Sequence, residues 1–274
     1  MTTGSVWIVQ VGCAGIREGD REDAGPNGDY PESYERVGGS LAALYGALLG
    51  MRRIDPGYIK LRDDSGATPD FGFEGDSGSG DEPARWPDPA YPQQVHLDIE
   101  VGDLDAGEQV VLEHGATRAA DYGDHRVYID QASHPFCLYL DESLSSRPTG
   151  PLPGRLASVV FDCFSPRALA SFYEGLLGMT DRVVDTSKRV VSAKPEGGQR
   201  FPMLSFQHAQ FPAARWPDPR YPAQLHLDLR FDDKEAARDL AERLGAIRLP
   251  RTGGGCLTYA DPASHPFDLC AEGE

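Results

Sequence analysis

The chain has 274 residues, 40% of them hydrophobic and 25% charged, which suits one large or two ordinary globular cores and excludes wholesale disorder. Asp and Glu number 43 against 26 Lys and Arg, for a net charge of −17. A field of that sign repels phosphate backbones and anionic lipid surfaces, so nucleic acid and membrane are set aside as partners.

In chain order, residues 6–11 are an apolar run broken by Gln10. The run is too short to span a bilayer and has no basic segment before it, so it reads as a strand in a cytoplasmic protein. Residues 16–39 are rich in Gly, Pro, Asp and Glu and carry Tyr30 and Tyr34. They read either as a surface insertion or as a lid over a nearby site. Leu41, Leu44, Tyr45, Leu48 and Leu49 follow at helical spacing, and Gly50 stops the helix. Residues 75–80 are a Gly/Ser/Asp-rich loop without the glycine spacing of a dinucleotide fingerprint. The Pro-stiffened loop Arg85-Trp86-Pro87-Asp88-Pro89 leads into an alternating strand. There Val95, Leu97, Ile99 and Val101 take one face, and His96, Asp98 and Glu100 take the other.

The second half then repeats the first. Residues 85–98 recur as 215–228, Asp130-Gln131-Ala132-Ser133-His134-Pro135-Phe136 recurs as Asp261-Pro262-Ala263-Ser264-His265-Pro266-Phe267, and the helix ending Leu48-Leu49-Gly50-Met51 recurs as Leu176-Leu177-Gly178-Met179. The offsets are 130, 131 and 128 residues, so whole domains are duplicated rather than short solenoid units. The expected organisation is domain one at 1–145 with the insertion at about 16–39, a Ser/Pro/Gly-rich linker at 146–154, and domain two at 155–274. Copy two shows its elements plainly. A strand at 156–163 precedes Ser165-Pro166, an N-cap with Pro at the first helical position. Leu169, Phe172, Tyr173, Leu176 and Leu177 make the helix stripe, and short strands follow at 182–184, 189–191 and 203–207. A strand at 225–231, a helix opened by Asp232-Asp233 and closed at Gly245, and further strands complete it. Each copy therefore reads as β-α-β-β-β twice, an α+β chain with mixed sheets and helices on one face.

Alternation assigns the site candidates. Leu225, Leu227, Leu229 and Phe231 must cover helices, so His226, Asp228 and Arg230 project from the opposite face. Phe267 and Leu269 likewise leave Asp268 on that polar side, and Leu204 and Phe206 leave Ser205 and Gln207 there. Trp86 and Trp216 flank the polar faces, placed either to stack on a planar ligand or to clamp one module on the other. His134 and His265 precede prolines and read as turn residues held by local hydrogen bonds. Five scattered cysteines (Cys13, Cys137, Cys163, Cys256 and Cys270) form no C-x-x-C pair and read as reduced, buried thiols.

The Leu-Ala-Ser-Phe-Tyr-Glu-Gly-Leu-Leu-Gly-Met helix at 169–179, the His-Leu-Asp-Leu strand at 226–229, and the Asp-Pro-Ala-Ser-His-Pro-Phe ending at 261–267, each echoed in copy one, resemble the vicinal oxygen chelate superfamily. The chain is most similar to tandem glyoxalase-like proteins of the actinobacterial type. That resemblance implies paired βαβββ modules curling into a cup around a small molecule. It also implies a divalent metal such as Zn, Ni, Mn or Fe in the metal-dependent members. Carried over residue by residue within each copy, the implied ligand positions are His226, Asp268, Gln207 and Ser158 in copy two, and His96, Cys137 and Glu74 in copy one. Neither set matches the family pattern in full; His226 and Asp268 are the metal candidates, and His96, Asp98, Trp86, His226, Asp228, Trp216 and Gln207 the ligand-binding candidates. Two functions follow: a cup that sequesters a small aromatic or cationic molecule, or a metal-dependent lyase, isomerase or dioxygenase. The resemblance further implies either a monomer whose two copies pair internally or a homodimer.

Overall fold

The computed structural model describes residues 4–13, 35–54, 59–66, 68–75, 84–145, 154–186, 190–193, 202–210, 214–215, 218, 221, 223–250 and 255–271. Four βαβββ modules follow one another along the chain. The first has β1 (Gly4–Cys13), α1 (Ser40–Leu49), β2 (Arg52–Ile54), β3 (Lys60–Arg62) and β4 (Asp70–Gly75). The second has β5 (Val95–Val101), α2 (Leu104–Glu113), β6 (Thr117–Asp121), β7 (His125–Ile129) and β8 (Pro135–Leu140). The third has β9 (Arg155–Cys163), α3 (Pro166–Leu177), β10 (Val183–Asp185), β11 (Val190–Ala193) and β12 (Met203–His208). The fourth has β13 (Leu225–Phe231), α4 (Lys234–Arg243), β14 (Ile247–Arg248), β15 (Leu257–Ala260) and β16 (Pro266–Ala271).

Local chemistry sets the helix ends. Gly50 and Gly178 close α1 and α3 with φ of 67° and 68°, a left-handed conformation that costs glycine no Cβ clash. Asp103 caps α2 by accepting from the amides of Asp105 and Ala106, and Asp233 caps α4 by accepting from that of Ala236. Each such cap contributes about 1 kcal/mol. Ser165 occupies the N-cap of α3 as expected, but its side chain makes no capping hydrogen bond.

The strands assemble into two eight-stranded mixed sheets, ordered β14-β15-β16-β13-β1-β4-β3-β2 and β10-β11-β12-β9-β5-β8-β7-β6. Each sheet therefore joins one module from each sequence copy. The seam of the first is the antiparallel pair β1/β13, and that of the second is β5/β9.

The hydrophobic core follows the copies instead. In copy one, Tyr45 of α1 packs on Phe71 of β4 and Phe136 of β8, with ring centroids 5.7 and 5.9 Å away, and donates to Asp130 Oδ2 at 3.0 Å. In copy two, Tyr173 of α3 packs on Phe206 of β12 and Phe267 of β16, and donates to Asp261 Oδ2 at 3.1 Å. The repeat thus marks the core unit, while the sheets cross it.

Both aspartates tie down the turn before a last strand. Asp261 Oδ1 accepts from the amides of Ala263 and His265 at 2.7 and 3.0 Å, and His265 Nδ1 lies 3.1 Å from its Oδ2. His265 Nε2 lies 3.1 Å from the carbonyl oxygen of Asp162, which ties this turn to β9. Asp130 and His134 repeat the arrangement in copy one. These histidines are the locally held turn residues that the sequence suggests.

One expectation is corrected. Cys256 and Cys270 form a disulfide, because the β15/β16 register that sets Leu257 opposite Leu269 carries Cys256 to a Cα–Cα distance of 4.3 Å from Cys270. The bond overturns the expectation that all five cysteines are reduced thiols. Cys137 and Cys163 are free and buried. Among the described residues no helix is long and apolar enough to cross a membrane. Most of the 16–39 insertion, the 76–80 part of the glycine-rich loop, the linker at 146–153, Trp216, and the side chains of Cys13 and Glu74 lie outside the described residues.

Burial disfavours a charged His265, but Asp261 outweighs it and holds the ring's pKa above its usual 6.5. A raised folded value stabilises most below the unfolded pKa, and the benefit is lost as pH rises through the folded one. His265→Asn should therefore cost more stability at about pH 6 than at about pH 9, as read by urea midpoints. An equal cost at both pH values contradicts the assignment.

Candidate functional site

The polar faces of the two sheets, turned away from the helices, carry matching constellations at their seams. Alternation in β13 sends Leu225, Leu227, Leu229 and Phe231 into the core. His226 and Asp228 take the other face, and the parallel register with β16 sets Asp268 beside Asp228. The donor atoms of His226, Asp228 and Asp268 all lie within 4.8 Å of one another, with His226 Nε2 at 3.4 Å from Asp228 Oδ1.

The seam brings a fourth group from copy one. Gln10 of β1 stands opposite His226 and donates from Nε2 to Asp228 Oδ2 at 2.8 Å. Gly72 of β4 makes room for it, since a Cβ there would come within 1.9 Å of Gln10 Oε1. Gln10 and Asp228 are 1% and 6% exposed. Asp228 Oδ1 is buried and accepts no hydrogen bond among the described residues. A carboxylate oxygen left that way is costly unless something positive meets it.

The second sheet repeats the pattern with different chemistry. His96 and Asp98 project from β5, and Cys137 stands beside Asp98 on β8. Their donor atoms also lie within 4.8 Å of one another, with His96 Nε2 at 3.4 Å from Asp98 Oδ1. Here the imidazole is engaged on both sides. Its Nδ1 meets Gln93 Nε2 at 2.8 Å, and its Nε2 faces Asp98 Oδ1. Gln93 donates in turn to Asp162 Oδ2 at 3.1 Å, across the seam on β9. Burial opposes charge on His96, but the neighbouring Asp98 carboxylate favours it and holds its pKa well above 6.5. Burial pushes the Cys137 thiol up, so it keeps its proton at neutral pH. Opposite His96 stands Val160, where the first seam has Gln10. Beyond it Ser158, Ser205 and Ser192 bond one another at 2.7 and 2.9 Å.

The crossing of the sheets corrects the within-copy grouping of candidates. Ser158 and Gln207 belong with His96, not with His226, because β9 pairs with β5 and β12 with β9. Glu74 belongs to β4 of the first sheet, away from His96 and Cys137. Sequence reasoning missed Gln10, whose signal was a single amide facing away from Val9 and Val11 in an otherwise apolar strand.

The two proline-rich loops meet each other. Arg85 donates to the Tyr91 hydroxyl and lies over its ring, and Arg215 does the same with Tyr221. The two tyrosine rings approach to 5.5 Å, and Gln94 N donates to Gln224 Oε1 at 2.8 Å. These tyrosines and glutamines carry a clamp between copies; Trp86 is half-buried in its loop. A surface hollow of about 550 Å³ lined by Asp103, Arg126, Leu140 and Ser145 contains none of the donor residues.

Among curated proteins no sequence matches the chain. In fold it is similar to glyoxalase I from Zea mays, with 13% identity, a TM-score of 0.62, and coverage of 98% of this chain and 92% of that one. It is also similar to a putative dioxygenase from Bacillus subtilis, with 12% identity, a TM-score of 0.54, and coverage of 98% and 86%. At such identity the likeness is one of fold. The family model described as a glyoxalase-like domain matches residues 37–139 and again 158–270. The chain therefore belongs to the glyoxalase-like family, with the matching domain present twice in tandem.

Proposed function

We propose that the first sheet forms the working cup, which binds a divalent metal through His226, Asp228 and Asp268 and presents it to a small oxygen-bearing molecule. The observation that carries this reading is the convergence of one imidazole and two carboxylates within 4.8 Å, with Asp228 Oδ1 buried and accepting no hydrogen bond among the described residues. The donor set fits the group. Nitrogen and carboxylate oxygen suit mid-row divalent ions, whose bonds of roughly 2.1 Å place opposite ligands about 4.2 Å apart. Three protein ligands leave open positions for a ligand.

A metal held there supplies Lewis acidity toward a carbonyl or a pair of neighbouring oxygens. The chain's own residues prepare the place. Gln10 occupies one oxygen of Asp228 and so turns the other toward His226. Leu227 and Leu229, alternating with the donors, anchor β13 in the core and hold those rotamers in place. Both seams close within one chain, which supports a monomer as the working unit.

A second reading, metal-free sequestration, is favoured at the second cup. Both ring nitrogens of His96 already have partners there, and Cys137 keeps its proton. Asp98 Oδ1 there is buried without a hydrogen bond among the described residues, as Asp228 Oδ1 is at the first cup, so the difference rests on the protonated Cys137 in the place of Asp268.

Metal analysis of protein equilibrated with Mn²⁺ and freed of excess should give about one ion per chain. His226→Ala and Asp268→Ala should each lower this to roughly a tenth or less, and His96→Ala should leave it unchanged. Loss of the ion in His96→Ala alone, or no ion in the parent protein, removes the proposal. Separately, Gly72→Ala should displace the Gln10 amide and weaken Mn²⁺ binding about tenfold, as Gln10→Ala does directly. Affinity unchanged in both variants shows that Gln10 does not orient Asp228.

A further inference from the structure

The net charge of −17 favours cationic ligands in general, yet the first cup carries a positive wall of its own. Arg230 follows His226 and Asp228 on the same face of β13, roughly 7 Å beyond Asp228 at the usual strand rise. Its guanidinium carbon lies 3.8 Å from the centroid of the Trp7 ring. The Lys60 ammonium lies 5.5 Å from the same centroid. Trp7 sits where the β1/β13 register shifts between Val6 and Ile8. Val6 and Val9 both join the core, so the extra residue of this bulge leaves room for the indole on the polar face. Lys60 stands opposite Gly72, which stands beside Gln10, so it belongs to the same face as the donor set, and it is only 7% exposed.

Arg230 stands apart from several other arginines of the chain. Arg62 pairs with Asp70, Arg126 with Glu108 and Asp105, and Arg182 with Glu174. Among the described residues Arg230 makes no ion pair and no hydrogen bond, and its Nε is buried without an acceptor. Carboxylates outnumber cations in this chain by 43 to 26, so pairing it would have been easy. Stacking on an indole holds a guanidinium plane in place and leaves its N–H edge aimed sideways for an acceptor. An acceptor that fits this edge has the chemistry of a planar anion.

We infer that Arg230, backed by Trp7 and with Lys60 alongside, is an anion subsite of the first cup that receives the carboxylate of a small organic acid. The other end of that acid offers an oxygen toward His226, Asp228 and Asp268. The subsite gives the ligand of the proposed function a chemical class, and only the placing of that second oxygen rests on the metal reading.

Pyruvate and methyl pyruvate share the 2-oxo group and differ in the charge, so they serve as probes. Calorimetric titration of the full chain with each, with and without saturating Mn²⁺, should show pyruvate preferred by about tenfold or more. Arg230→Gln should bring that ratio to within about twofold while leaving Mn²⁺ binding unchanged, and Arg230→Lys should retain part of it. The lysine variant guards against a glutamine variant that loses its fold, which circular dichroism would show. Equal affinity for the two probes, no heat with pyruvate at about 10 mM, or a preference that survives in Arg230→Gln overturns the inference. If Mn²⁺ fails to bind but the charge preference depends on Arg230, the subsite stands and the metal reading falls. If Mn²⁺ binds at His226 with no charge preference, the metal reading stands and the subsite falls.

Discussion

Antiparallel pairing across the repeat, β1 with β13 and β5 with β9, is the constraint on which the rest depends. Side chains alternate with a period of two, so this register decides which residues share a face and which meet across the seam. With Gln10 opposite His226, the donor face and the core face separate cleanly: Val9 and Leu227 go in, Gln10 and His226 go out. A slip of one residue would drive the amide and the imidazole under the helices and turn Val9 and Leu227 to the polar side. The core resists that slip, because Tyr45 and Tyr173 each bind both modules of a copy through aromatic packing and a buried aspartate.

The same geometry serves two cups that have diverged in chemistry. The first sets Gln10, Gly72 and Asp268 around its histidine; the second sets Val160, Ser205 and Cys137 at the corresponding register positions. Oxygen donors around one imidazole leave charge to be balanced. Around the other, Asp98 keeps its carboxylate while a protonated thiol stands in the place of Asp268, so one carboxylate fewer remains. The difference lies in a few side chains on a shared backbone plan, which is how one fold hosts several functions. The acidic surface does not set the charge of each cup, since Arg230 and Lys60 sit on the first face, 3.8 and 5.5 Å from the centroid of the Trp7 ring.

Much of this was legible in the sequence. Periodicity exposed the helix stripe ending at Leu177 and the alternation of 225–231, and the duplication exposed the modular order. The triads could be half read, because His226, Asp228 and Asp268 each lie between core residues in alternating strands. What could not be read was which strand lies beside which. Alternation gives the face of a residue but not its neighbour across a sheet, so Ser158 and Gln207 were grouped with the wrong histidine. Gln10 was visible only as an interruption. The Cys256–Cys270 bond depends on the β15/β16 register, which no local spacing reveals. That Arg230 has no acidic partner among the described residues is a property of three-dimensional surroundings alone.

The central claim is that residues from both halves of the chain build one donor site at the first seam. Anomalous scattering from crystals soaked in Mn²⁺ tests it most directly. The expected result is one strong peak per chain within coordination distance of His226, Asp228 and Asp268, with the Gln10 amide on Asp228. A peak between His96 and Cys137 instead, or an imidazole of His226 turned away from both carboxylates with no peak beside it, contradicts the account.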